Sequence, residues 1–85
     1  GEGVTIFFSM GKRQRIFPRT LIDLILEKGG VALEDIGEVR AFDNYSFADI
    51  APAKASALVA SLDGTELRGR KLSVSLAKRR DESAT

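Results

Sequence analysis

The chain has 85 residues, 44% hydrophobic and 29% charged, which is the composition of one small globular domain. It contains no Cys and no His, which excludes disulfides, thiol or imidazole catalysis and the usual ligands of zinc and iron sites. Nucleophile-elbow and phosphate-loop motifs are also missing from the sequence. We therefore expect no catalytic residues, no metal, no cofactor, no membrane span and no signal segment, so that this chain alone is not an enzyme.

The net charge is only +1, but the charges are segregated along the chain. Residues 3–22 hold four cations and no acid, and residues 67–80 hold six cations and no acid. Residues 20–66 hold three cations against nine acids. This segregation favours basic surfaces that could bind phosphate, the alternative being cations that only solvate loops and a tail.

The first part of the sequence predicts a strand, a basic loop and a helix. Val4 to Ser9 is β-branched and aromatic and alternates between two faces, one of which carries Phe7. A basic loop follows, and Pro18 is well placed for the first turn of a helix. Gly29 and Gly30 end this helix. Its apolar stripe consists of Leu21, Ile22, Ile25 and Leu26.

The middle of the sequence predicts a hairpin with exposed rings. A short turn at Leu33–Asp35 precedes a strand over residues 37–42, and Asp43–Asn44 turns into a strand over residues 45–50. Alternation places Tyr45 and Phe47 on the same face, where they could stack unpaired bases. The alternative is that two aromatics in alternation are simply good strand formers.

The last part predicts a second helix and a fourth strand. The helix starts at Pro52 and ends near Gly64, and the strand covers residues 71–77 after a turn at Arg68–Gly69. We expect Leu72, Val74 and Leu76 to point inward, and Ala55, Leu58, Val59 and Leu62 to form the stripe of the helix. The order β-α-β-β-α-β predicts one sheet with both helices on one face and the other face open. We expect one domain over residues 1–80 and a frayed tail over residues 81–85.

With this order, the chain resembles the RNA-recognition-motif superfamily and, within it, the DbpA-type RNA-binding domain found at the C-terminal end of some bacterial DEAD-box RNA helicases. The aromatic strand matches the motif Lys/Arg-Gly-Phe/Tyr-Gly/Ala-Phe-Val-x-Phe/Tyr at Tyr45 and Phe47, whereas Asp43 stands where the motif has a cation. The resemblance covers about residues 5 to 79 and includes four segments: Ile6 to Gly11, Asp35 to Val39, Phe42 to Ile50, and Leu67 to Val74.

The resemblance implies an α+β, ferredoxin-like sandwich with strands in the spatial order four, one, three, two. It implies RNA binding on the open sheet face by Phe7, Arg40, Tyr45 and Phe47, while Glu38 and Asp49 on that face repel phosphate. Phe42 joins the open face or only covers the hairpin. The same order gathers a basic end around the first helix, formed by Lys12, Arg13, Arg15, Arg19, Arg68, Arg70 and Lys71.

The resemblance further implies a non-catalytic module that tethers a helicase core of the same parent chain to structured RNA. Ribosomal RNA, a cytoplasmic location, a role in ribosome biogenesis and a monomeric isolated domain are the corresponding expectations. Two other hypotheses stay open at this point. One is a protein-interaction module that uses the open aromatic face, and the other is a ferredoxin-like enzyme or small-ligand regulatory domain.

Overall fold

The computed structural model describes residues 3–77 of the chain. Both helices begin at a proline, whose fixed φ suits the first helical position and whose missing N–H has no partner to lose there. The elements in chain order are β1 (Val4–Phe8), α1 (Pro18–Lys28), β2 (Ile36–Ala41), β3 (Ser46–Ile50), α2 (Pro52–Leu62), β4 (Glu66–Leu67), β5 (Arg70–Lys71) and β6 (Val74–Leu76).

The main sheet has four strands in the order β2-β3-β1-β6, and every neighbouring pair is antiparallel. In the register of the two central strands, Phe7 lies opposite Phe47 and Phe8 opposite Ser46. On the other side of β1, Phe8 lies opposite Val74. The prediction of an α+β, ferredoxin-like sandwich is confirmed, including the spatial order of its strands.

The core lies between the helices and one face of this sheet. Alternation along β1 and β3 sends Ile6, Phe8, Ala48 and Ile50 to that face, where all four are fully buried. Each large apolar side chain buried in this way stabilises the fold by about 1.5–3 kcal/mol. The helices complete the core with Leu21, Leu24, Ile25, Ala55, Leu58 and Leu62.

Two details of the predicted helices and strands are wrong. The buried stripe of α1 uses Leu24, while Leu26 is exposed and Ile22 is only partly buried. Leu76 is 50% exposed although it shares the inner face of β6 with Val74. Leu76 lies at the end of an edge strand, where no neighbour on its outer side covers it.

The predicted fourth strand is divided in the structure. Its first residue, Lys71, belongs instead to a separate two-stranded hairpin, in which Arg70–Lys71 pairs with Glu66–Leu67, and only Val74–Leu76 joins the main sheet. Arg68 and Gly69 form the turn with φ of 52° and 78°. Positive φ at both central residues is the geometry of a type I′ turn, which matches the twist of a tight hairpin.

The expected tail at residues 81–85, and the cations Lys78, Arg79 and Arg80 before it, lie outside the described residues. The single-domain boundary at residue 80 therefore stays a prediction. Neither α1 nor α2, the helices of the described part, is long and apolar enough to cross a membrane.

Candidate functional site

Four aromatic rings form one contiguous cluster on the open face of the sheet. Phe7 and Phe47 lie opposite each other on β1 and β3, with ring centroids 5.9 Å apart. Tyr45 lies 5.6 Å from Phe47 and 5.2 Å from Phe42. We call these four residues the ring cluster. Two of its rings are the most accessible, since Phe42 is 40% and Tyr45 42% exposed.

Arg40 extends this cluster onto β2, where it lies opposite Phe47. Its guanidinium is 3.9 Å from the carboxylate of Glu38, and both side chains are exposed. An ion pair of this kind is weak because water screens it, so Arg40 stays available to an incoming anion or base. The open-face residues predicted from the sequence, Phe7, Arg40, Tyr45 and Phe47, therefore lie side by side.

The loop between β1 and α1 is hydrogen-bonded to the turn that carries two of these rings. The backbone N–H of Lys12 donates to the carbonyl of Phe42 at 2.7 Å, and that of Arg13 donates to the carbonyl of Asp43 at 2.8 Å. The buried hydroxyl of Ser46 donates to the carbonyl of Met10 at 2.7 Å. Three hydrogen bonds, at Met10, Lys12 and Arg13, thus hold the basic loop against the β2–β3 hairpin.

Gly11 permits this close approach. A Cβ at position 11 would collide with the carbonyl oxygen of Phe42, and would lie only 2.6 Å from the backbone nitrogen of Tyr45. Gly11 also anchors the loop internally, since its N–H donates to the side chain of Gln14 at 2.8 Å. The close contact of Gly11 could not be predicted from the sequence, because a glycine at the end of a strand does not indicate which distant backbone segment it contacts.

The basic loop presents its cations outward. Lys12, Arg13 and Arg15 are exposed, and Arg15 has a φ of 63° where the loop turns toward α1. Between this loop and the hairpin lies an open pocket of about 430 Å³. The pocket is lined by Lys12, Ala41, Phe42, Asp43, Asn44 and Tyr45, so that a cation, a carboxylate, an amide and two rings share its wall.

A second basic group lies on the β4–β5 hairpin and consists of Arg68, Arg70 and Lys71, all exposed. This hairpin leads into the edge strand β6 at the end of the sheet where the basic loop also lies. Because β6 pairs with β1 on the side away from β3, the hairpin is separated from the β2–β3 hairpin by β1. Arg19, in the first turn of α1, is 3.9 Å from the carboxylate of Asp23. The seven predicted cations are all exposed, and six of them form two groups of three, while Arg19 lies in the first turn of α1 with only a weak, exposed ion pair to Asp23.

The opposite half of the open face is acidic. One row beyond Phe7 and Phe47, the Thr5 hydroxyl donates to the carboxylate of Asp49 at 2.8 Å. Asp49 and Glu38 line an open pocket of about 420 Å³ together with Glu34 and Asp35. We call this region the acidic end. Within residues 3–77, no group of acids is arranged to hold a metal ion.

Asp35 has a structural task at the acidic end. Its carboxylate accepts the Ala32 N–H at 3.0 Å and lies 3.4 Å from the Lys54 ammonium on α2. The hydrogen bond from Ala32, followed by the interaction with Lys54, lowers the pKa of Asp35 below its ordinary value of 3.8 despite some desolvation. Asp35 thus joins the turn before β2 to α2.

An open antiparallel sheet with clustered, accessible rings beside a basic loop is typical of α+β RNA-binding domains. The comparison with known families agrees with this class. The model of the DbpA RNA binding domain matches residues 5–76, and the chain belongs to that family. It is therefore an RNA-binding domain.

Two relatives are longer proteins, and this chain matches only part of each. An uncharacterized protein of Treponema pallidum (strain Nichols) is 43% identical over 82 residues, which are 96% of this chain and 36% of that protein. The ATP-dependent RNA helicase DbpA of Bacillus subtilis (strain 168) is 27% identical over 74 residues, which are 87% of this chain and 15% of the helicase. The chain thus spans about a third or less of either relative.

Proposed function

We propose that the domain binds RNA by stacking unpaired bases on the ring cluster while the basic loop holds the backbone. The observation that supports this most strongly is the attachment of the loop to the ring-bearing turn through Lys12 and Arg13. A cation next to a stacking ring matches the alternation of phosphate and base along a nucleic-acid strand.

The two kinds of contact differ in energy and in salt dependence. Stacking on an accessible ring contributes about 1–3 kcal/mol per base and changes little with salt. Cations that neutralise phosphates release counterions, so their contribution falls steeply as salt rises. We assign stacking and base contacts to Phe7, Arg40, Tyr45 and Phe47, with Phe42 added from the structure. We assign phosphate contacts to Lys12, Arg13, Arg15, Arg19, Arg68, Arg70 and Lys71.

One of the relatives supports a proposal for the wider role. The Bacillus subtilis relative is named an ATP-dependent RNA helicase, and this chain corresponds to 15% of its length. We propose that the domain is a non-catalytic part of such a cytoplasmic helicase and acts in ribosome biogenesis. There it tethers the helicase core to structured RNA such as ribosomal RNA, and as an isolated domain it is monomeric.

A titration of the isolated domain with RNA at two salt concentrations tests the proposal. We expect binding whose log–log salt slope is about 0.7 per phosphate contact for single strands. Hairpin and single-stranded RNAs, compared with a DNA of the same sequence, show which form is preferred. An absence of binding at low salt would contradict RNA recognition, and would favour the alternative that the ring cluster contacts a protein.

A further inference from the structure

Within residues 3–77, two residues other than glycine have a positive φ, and both are arginines. Arg15, with a φ of 63°, ends the short turn of the basic loop. Arg68, with a φ of 52°, is the first central residue of the β4–β5 turn. A residue with a Cβ adopts this left-handed conformation at a cost, which glycine avoids and asparagine bears most easily. Each of the two basic groups thus has one cation at a backbone position that is unfavourable for its residue type.

The β4–β5 turn shows most clearly that its backbone favours another residue. A two-residue type I′ turn has positive φ at both central positions, and Asn-Gly is a pair that suits it well. Here Gly69 occupies the second position, whereas Arg68 occupies the first. Both Arg68 and Arg15 are exposed, and no ion pair joins either of them to another of residues 3–77. Neither the backbone nor an internal ion pair therefore accounts for arginine at these positions.

Both turns are held firmly by their neighbours. In the basic loop, the N–H of Arg15 donates to the carbonyl of Lys12 at 2.9 Å, and the next residue, Ile16, is buried. At the base of the β4–β5 hairpin, the N–H of Leu72 donates to the carbonyl of Thr65 at 2.8 Å, and Leu72 is also buried. A cation on a fixed backbone loses less conformational freedom on binding than a cation on a mobile loop.

We infer that Arg15 and Arg68 are the two main phosphate-binding residues of the domain, one in each basic group. This inference rests on the proposed function and ranks the seven cations that it assigns to phosphate. An unfavourable backbone conformation is stored where the side chain has a function that a better-suited residue would not supply. Asparagine or glycine would form either turn at a lower cost, but neither carries the guanidinium, whose planar set of N–H donors matches phosphate oxygens.

Arg68→Asn separates the turn from the charge. We expect its Tm to rise by about 3 °C, because Asn-Gly suits the type I′ turn. Its affinity for a short single-stranded RNA of mixed sequence should fall by about tenfold at low salt. The log–log salt slope should decrease by about 0.7 for the one phosphate contact that is lost. Arg15→Asn should give the same combination of higher Tm, lower affinity and smaller slope.

Arg68→Lys tests the charge on an unchanged backbone. It keeps a cation at the same left-handed position, so we expect a Tm equal to that of the wild type and most of the RNA affinity. Arg70→Asn is the matched control, since it removes the same charge from an exposed residue of the same hairpin that has no positive φ. We expect it to give no rise in Tm and a smaller loss of affinity than Arg68→Asn. Circular dichroism shows that each variant is folded in the binding assay.

Three results would overturn the inference. If the two asparagine variants gain stability without losing affinity, the guanidinium groups do not bind phosphate. If neither variant gains stability, arginine suits these turns as well as asparagine does. If Arg70→Asn loses as much affinity as Arg68→Asn, the charge of the hairpin matters but the turn position does not. A wild-type domain that binds no RNA at low salt is a separate failure, that of the proposed function itself, and the change in Tm is measured independently of it.

Discussion

The two halves of the open sheet face are built on the same strands but carry opposite chemistry. On β1 and β3, Phe7 and Phe47 belong to the ring cluster, whereas Thr5 and Asp49 form the acidic end one row away. The change from ring to carboxylate takes place over two residues of each strand, or about 7 Å. The chemical character of this face therefore changes along each strand, from one row of residues to the next, and not from one strand to its neighbour.

The two halves also differ in how they are connected to the rest of the domain. The ring cluster is attached to the basic loop by backbone hydrogen bonds from Lys12 and Arg13. The acidic end is attached to the second helix through Asp35 and Lys54. At one end lie the exposed cations that we propose to contact RNA, whereas at the other end the cation of Lys54 contributes to the fold.

The largest effect is expected when the basic loop is reversed in charge. Arg13→Glu with Arg15→Glu should weaken RNA binding at low salt by more than Tyr45→Ala with Phe47→Ala does. For the aromatic pair we expect a loss of about 2–6 kcal/mol, since each ring contributes about 1–3 kcal/mol. Asp43 and Asp49 already repel phosphate near the rings, whereas Arg13 and Arg15 are exposed beside them. The difference should narrow at high salt, because screening removes the charge contribution and spares most of the stacking.

Affinity measurements on both double variants at two ionic strengths check this prediction. Lys28→Glu is a suitable control, since it changes the net charge at the last residue of α1, at the other end of the helix from the basic loop. A larger loss from the aromatic pair at low salt would reverse the ranking of the two surfaces. The double variant of Tyr45 and Phe47 should stay folded, because these two rings lie outside the buried core.

A smaller effect is expected from Gly11→Ala, which forces the basic loop away from the β2–β3 hairpin. Overpacking against the Phe42 carbonyl and the strained Lys12 and Arg13 hydrogen bonds should destabilise the fold by about 2–3 kcal/mol. RNA affinity should fall as well, even under conditions where the variant is fully folded. Urea unfolding and an RNA titration measure the two effects separately.

Gly37→Ala is the matched control at the acidic end. There the added methyl group meets the Cβ of Asp49 at 3.2 Å and its carbonyl oxygen at an ordinary contact distance of 3.6 Å, and we expect stability within about 1 kcal/mol of the wild type. Equal destabilisation by the two substitutions would show that the close contact at Gly11 has no special importance.

The smallest effect is a pH dependence at the acidic end. The depressed pKa of Asp35 means that its ionised form stabilises the folded state. This contribution is fully present above the ordinary pKa of 3.8 and is lost as the pH falls through the lower folded-state value. Asp35→Asn should therefore be less stable than the wild type near neutral pH, and the difference should disappear in acid.

Thermal unfolding across this pH range measures the difference, with Glu34→Gln as a control from the same turn. RNA affinity at neutral pH should be the same for Asp35→Asn and the wild type. A loss of affinity would mean that the acidic end contributes to RNA binding through Asp35.

The sequence predicted the order of the elements and the open aromatic face because both depend on local periodicity. Tyr45 and Phe47 are two apart on a strand, and the register with Phe7 follows from the strand order. In α1, periodicity did not separate Leu24 from Leu26, since both are apolar and each is close to the stripe. Only the position of the sheet relative to the helix decides which of them is buried.

The features that could not be predicted from the sequence depend on contacts between distant backbone segments or on unusual backbone geometry. The β4–β5 hairpin needs positive φ at Arg68, a residue type that gives no indication of a type I′ turn. The contact of Gly11 with Phe42 joins backbones 31 positions apart in the chain. The bond between Thr5 and Asp49 likewise requires the exact pairing of β1 with β3, which alternation alone leaves open.

The three hydrogen bonds between the basic loop and the β2–β3 hairpin also fix the distance between these two backbone segments. Since the backbone N–H groups of Lys12 and Arg13 are bonded to the carbonyls of Phe42 and Asp43, the backbone of the basic loop and that of the ring-bearing turn hold one arrangement before any RNA arrives. Little conformational freedom then remains to be lost on binding. In the proposed function, RNA segments are therefore distinguished by whether the spacing of their bases and phosphates suits this fixed arrangement of the two backbone segments.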